Sequence, residues 1–141
     1  MPETHDIGLT HVALLVTNPD ASIAFYEKYA ATQVVHRRLD AETQRTVVWL
    51  SDRTRPFVIV LIQTAKVDAP LRPFAHLGVG CTTREEVDRR CAEARRDGCL
   101  LSGPTDSGYP VGYWAFLSDP DSNTLELSYG QEIALTAVKA T

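Results

Sequence analysis

The 141-residue chain is short of cysteine, lacks long apolar runs and carries no excess of basic charge. Its three cysteines, Cys81, Cys91 and Cys99, are odd in number and show no CxxC spacing. That excludes an obvious disulfide framework or thiolate zinc site and points to free thiols in a reducing cytoplasm. Cys81 alternates with Leu77 and Val79, and Cys91 follows Val87 at helical spacing, so both are expected in apolar surroundings. No segment is long and apolar enough to span a membrane, and the start, MPETHDIG, lacks the apolar core of a signal peptide. A net charge of −4 and a pI near 5.5 argue against a nucleic-acid partner. The paired arginines 37–38, 89–90 and 95–96 are short runs and read as solvated faces. There is no low-complexity segment, no phosphate loop and no serine–histidine–acid arrangement. With 44% hydrophobic and 23% charged residues, the chain has room for one ordinary domain, or two small modules sharing a core.

What the chain does have is a repeat. LTHVALLVT at 9–17 and FAHLGVGCT at 74–82 are alternating strands with a histidine, His11 and His76, in the same place. Asn18-Pro19-Asp20 opens a helix whose apolar face is Ile23, Phe25, Tyr26 and Tyr29. Strands are predicted at 32–39, 44–51 and 56–63. Residues 64–73, with two prolines, read as a linker. The order then repeats. A helix at 84–97 opens with Thr83 and Glu86 at capping-box spacing and ends at Asp97-Gly98, and strands follow at 99–102, 112–118 and 123–129. The module boundaries are 8–64 and 73–130, with a tail at 131–141 that starts a short helix near Ile133.

In each half the helix is expected to cover the face of Val12, Leu14 and Val16, or its equivalent. The histidines then look to the opposite side. Glu126, on the last strand, shares its face with Thr124 and Ser128, and His76 shares its own with Gly78 and Gly80. Two imidazoles and a carboxylate beside small residues form a ligand set for one divalent metal: Fe(II), Mn(II), Ni(II), Co(II) or Zn(II).

LTHVALLVTNPDASIAFYEKY at Leu9–Tyr29, FAHLGVGC at Phe74–Cys81 and FLSDPDSNTLELSYG at Phe116–Gly130 resemble the vicinal-oxygen-chelate superfamily. That group includes glyoxalase I, extradiol dioxygenases, fosfomycin-resistance enzymes and bleomycin-resistance proteins. The resemblance implies an α+β fold of two paired βαβββ modules, each a half-barrel cup of mixed sheet. It implies metal ligands at His11, His76 and Glu126, with Glu126 also catalytic, and a homodimer. Two departures stand out. The fourth ligand of glyoxalase I maps to Val60, which cannot ligate, and nearby Gln63 falls on the opposite strand face. The histidine that dioxygenases carry before the final glutamate is missing, which argues against ring cleavage.

Several residues are candidates to meet a small-molecule substrate. Tyr109 and Tyr113 flank a Gly-rich loop before the last two strands, and Arg45 and Trp49 share parity on the third strand. His36, among arginines, reads as surface, and His5 belongs to the N-terminal tail. The expected function is that of a metal-dependent enzyme of lyase, isomerase or dioxygenase type. The alternative is a non-catalytic drug-binding protein, disfavoured because all three ligands are kept.

Overall fold

The computed structural model describes residues 6–139, so His5 lies outside the described residues. The chain divides into two compact units, Met1–Pro70 and Leu71–Thr141. The first holds β1 (His11–Val16), α1 (Pro19–Ala30), β2 (Gln33–Leu39), β3 (Thr46–Ser51) and β4 (Val58–Gln63). Its sheet has the order β1-β4-β3-β2, with β1 parallel to β4 and the other pairs antiparallel. The second holds β5 (His76–Gly80), α2 (Arg84–Asp97), β6 (Leu100–Asp106), β7 (Tyr113–Ser118), β8 (Thr124–Tyr129) and a short α3 (Ile133–Lys139). Its order, β5-β8-β7-β6, repeats the first. Each is an open mixed sheet with a helix on one face, which is the α+β module the sequence resemblance implies.

Local chemistry explains the helices. The Asn18 side chain accepts a hydrogen bond from Ala21 N at 3.2 Å, and Pro19 stands where no helical N–H is needed. Thr83 Oγ1 likewise accepts from Glu86 N at 3.1 Å. The Glu86 carboxylate turns to Arg89 and Arg90 along the helix, so the capping is carried by Thr83. α2 ends at Gly98 with φ 76°, whereas α1 ends at Ala31 with φ 53°.

Period-two alternation sorts the strands. Leu14, Val16, Val48, Leu50 and Leu61 are buried with Tyr26 and Tyr29 of α1. In the second unit Ala115, Leu117, Leu125 and Leu127 are buried with Val87, Cys91 and Ala94 of α2. Each large apolar side chain so buried contributes about 1.5–3 kcal/mol. Burial pushes the pKa of the Cys91 thiol up to about 11 and raises that of Cys81, and none of the three cysteines forms a disulfide.

β6 is longer than the expected 99–102. It continues through Gly103-Pro104 to Asp106, with two breaks in register against β7. Proline is tolerated there because β6 is an edge strand. Gly103 has φ 92°, and a Cβ at that position would lie 2.8 Å from Trp114 O. Before β8, the Asp119 carboxylate accepts hydrogen bonds from Asp121 N and Asn123 N, both at 2.8 Å, which fixes the turn in which Ser122 adopts φ 70°. Among the described residues no helix is long and apolar enough to cross a membrane.

Candidate functional site

In the second unit, parallel pairing sets Gly78 opposite Glu126 and His76 opposite Thr124, while β7 sets Phe116 opposite Glu126. Glu126 is buried, as are Thr124 and Ser128 on the same face. Its Oε2 lies 2.9 Å from His76 Nε2, and its Oε1 accepts from Gln131 Nε2 at 3.0 Å. At Gly78 even an added Cβ would stay 3.9 Å from Oε2, so the missing side chain leaves space beside the carboxylate. The His76 ring rests 5.1 Å from that of Phe116, centroid to centroid.

The other imidazole nitrogen decides what this pair means. His76 Nδ1 lies 2.6 Å from Phe74 O. A carbonyl only accepts, so Nδ1 carries the hydrogen. In the neutral ring, Nε2 then presents a lone pair to a carboxylate oxygen that also only accepts. Two acceptors this close need a proton held between them, on either atom, or a cation bound by both. Backbone-pinned histidine beside a buried carboxylate is the arrangement that metal sites use to orient their ligands. The donor set therefore fits a divalent ion. Among the described residues of the second unit, no third His, Cys, Asp or Glu side chain joins the pair.

The first unit uses the same register with different contents. His11 pairs with Val58, and Val60 stands opposite Ala13 on one side and Trp49 on the other. Val60 thus occupies the position that Glu126 holds in the second unit. Gln63 pairs with Val16 on the helix-covered face, and its Oε1 accepts from Thr46 N at 3.3 Å. His11 is exposed, with its Nδ1 2.8 Å from the Thr10 hydroxyl. On this side of the sheet lies a cavity of about 730 Å3, lined among others by His11, His36, Trp49, Arg55, Phe57 and Val60.

The sequence profile of the Glyoxalase/Bleomycin resistance protein/Dioxygenase superfamily matches residues 8–127. The chain belongs to this superfamily. An uncharacterized protein of Pseudomonas aeruginosa is 37% identical over 128 residues, covering 89% of this chain and 90% of its own. Solved structures similar in fold include a mutant of the fosfomycin resistance protein FosX from Listeria monocytogenes, in complex with Mn(II) and 1S,2S-dihydroxypropylphosphonic acid. It has a TM-score of 0.72 and 17% identity, over 96% of this chain and all of that one. A possible glyoxalase from Bacillus cereus has a TM-score of 0.67 and 21% identity, over 87% and 99% of the two chains. The trypanothione-dependent glyoxalase I of Leishmania major has a TM-score of 0.70 and 22% identity, over 94% of each.

Against this superfamily background the remaining expected residues separate. Trp49 lines the first-unit cavity. Arg45 sits in the exposed turn before β3, where its carbonyl accepts from Asp40 N at 2.8 Å. Tyr113 faces α2: its hydroxyl hydrogen-bonds to Asp88, which raises the phenol above its usual range, and the Arg84 guanidinium lies 3.9 Å over its ring. β7 alternation places Trp114 and Phe116 on the other side, toward Glu126. Tyr109 is exposed in a turn closed by hydrogen bonds from Ser107 N to Gly112 O and from Gly112 N to Gly108 O.

Three residues carry weight that the sequence did not signal. His36 lines the cavity, its ring 4.8 Å from that of Trp49, because β2 breaks register between Val34 and His36. Arg55 reaches the cavity from a turn, where strand periodicity is silent. Gln131 follows the last strand and holds Glu126.

Proposed function

We propose that the chain is a divalent-metal-dependent enzyme acting on a small molecule that chelates through oxygen. The observation that carries this reading is the His76–Glu126 pair at 2.9 Å, with His76 Nδ1 tied to a backbone carbonyl. His76 Nε2 and a Glu126 oxygen would supply two ligands, and the sequence repeat and the superfamily resemblance make His11 the expected third. A divalent ion held there would supply Lewis-acid stabilisation of a substrate enolate or alkoxide, or a binding place for dioxygen. The protein's part is orientation. Phe74 O fixes the His76 tautomer, Gln131 fixes the carboxylate, and the small neighbours leave room for substrate. Three cysteines that form no disulfide fit a reducing cytoplasm.

The test is elemental analysis after anaerobic purification. Wild type is expected to hold one divalent ion per chain, and Glu126→Ala is expected to lose more than about 100-fold in metal affinity, beyond the 10–100-fold typical of an outer-shell loss. Equal metal content in the two proteins overturns the assignment.

A homodimer is part of the proposal. β1 and β5 are edge strands of their own sheets, and uncovered edges favour association. Light scattering that finds only monomer across a wide concentration range removes this part.

A further inference from the structure

The first-unit cavity has a composition that selects among ligands. Its volume, about 730 Å3, suits a small organic molecule. One wall is aromatic: Trp49, more than a third exposed, with the His36 ring tilted against it. Arg38 Nη1, which can only donate, meets His36 Nε2 at 3.1 Å. That nitrogen is therefore the acceptor, and Nδ1 carries the ring hydrogen as a donor. Arg55 also lines the cavity, and among the described residues no carboxylate forms an ion pair with it. Among the described residues the charged ones lining the cavity are Arg55 and Asp6, so a ligand carrying two negative charges meets one guanidinium and one opposing carboxylate there. A guanidinium fork matches a single carboxylate through two hydrogen bonds.

We infer that this cavity takes a planar organic monoanion, an aromatic or conjugated carboxylate, with its ring against Trp49 and His36 and its carboxylate on Arg55. The inference rests on the proposed enzyme reading only in treating this cavity as the substrate's place. It gives that reading a substrate class, and it disfavours phosphonate dianions of the kind bound by the FosX structure.

Calorimetric titration of the full chain with four probes tests it: benzoate, its neutral analogue benzamide, the non-planar cyclohexanecarboxylate, and phenylphosphonate. Titrations are run on wild type and on Glu126→Ala, so that binding of a carboxylate to a metal ion is separated from binding to Arg55. Benzoate is expected to bind both proteins roughly tenfold or more tighter than benzamide, and tighter than the other two anions. Arg55→Gln should erase the preference for benzoate over benzamide. Trp49→Leu should erase the preference for benzoate over cyclohexanecarboxylate. Benzoate binding that is absent from Glu126→Ala, equal to benzamide, unchanged in Arg55→Gln, or weaker than phenylphosphonate overturns the inference. Metal content measured on the same preparations judges the metal reading separately, since Arg55 and Trp49 take no part in it.

Discussion

The two units share the βαβββ order, the sheet topology and the register of their first, third and last strands' pairings, and differ at three facing positions there. Where the second has Gly78, Glu126 and Phe116 side by side across three neighbouring strands, the first has Ala13, Val60 and Trp49. His76 is tied to a backbone carbonyl and faces a buried carboxylate, whereas His11 is tied to a threonine hydroxyl and borders an open cavity. A backbone repeated nearly strand for strand thus carries a close histidine–glutamate pair in one copy and an aromatic-walled cavity in the other. The fold supplies positions, and a few side chains supply the chemistry.

The largest effect expected from this asymmetry concerns glyoxalase I chemistry. Val60 denies the first unit a carboxylate able to act as a base beside a metal, a role typically contributing about 10²–10⁴-fold. The wild-type protein is expected to show negligible turnover of the methylglyoxal hemithioacetal with any divalent ion loaded, assayed by thioester formation. Val60→Glu, which makes the units alike at this position, should tighten metal binding. Robust wild-type turnover would show that the two units are not so divided.

A smaller effect probes what steadies the pair. Gln131→Ala leaves His76 and Glu126 in place but frees Glu126 Oε1, and metal affinity measured by competition with a chelator should fall about tenfold. No change would mean that burial alone orients the carboxylate.

The smallest effect compares the helix ends. Ala31 holds a left-handed conformation that Gly98 adopts without strain. Ala31→Gly should stabilise the protein by about 0.5–1 kcal/mol, and Gly98→Ala should cost about 1 kcal/mol, both read from denaturant midpoints. Opposite signs confirm that the same cap is built from unequal residues.

Much of this was legible in the sequence because the strands alternate cleanly. Val12, Leu14 and Val16 against His11 and Ala13, or Leu125 and Leu127 against Glu126, reveal the faces without a structure. The helices were legible through Asn18, Thr83 and Gly98, whose side chains or flexibility meet a local need. What was lost follows from where alternation fails. The register break in β2 turns His36 from an apparent surface residue into a cavity wall. Tyr113 was expected to meet substrate from the rim of a loop, but its place at the start of β7 commits it to the α2 side. Arg55 and Gln131 lie outside strands, where only the folded chain brings them to the cavity or the carboxylate.

The parallel pairing of first and last strands also orders events in time. β3 and β4 meet across a turn in which Leu50 faces Ile59, but His11 must wait for Val58 and His76 for Thr124. Closing the longer loop costs about 1.5 kcal/mol more chain entropy than closing the hairpin. As the polypeptide is made, each histidine strand is therefore the first of its unit to be synthesised and the last to gain a neighbour. The imidazole of each unit reaches its final address only after the strand beside it exists.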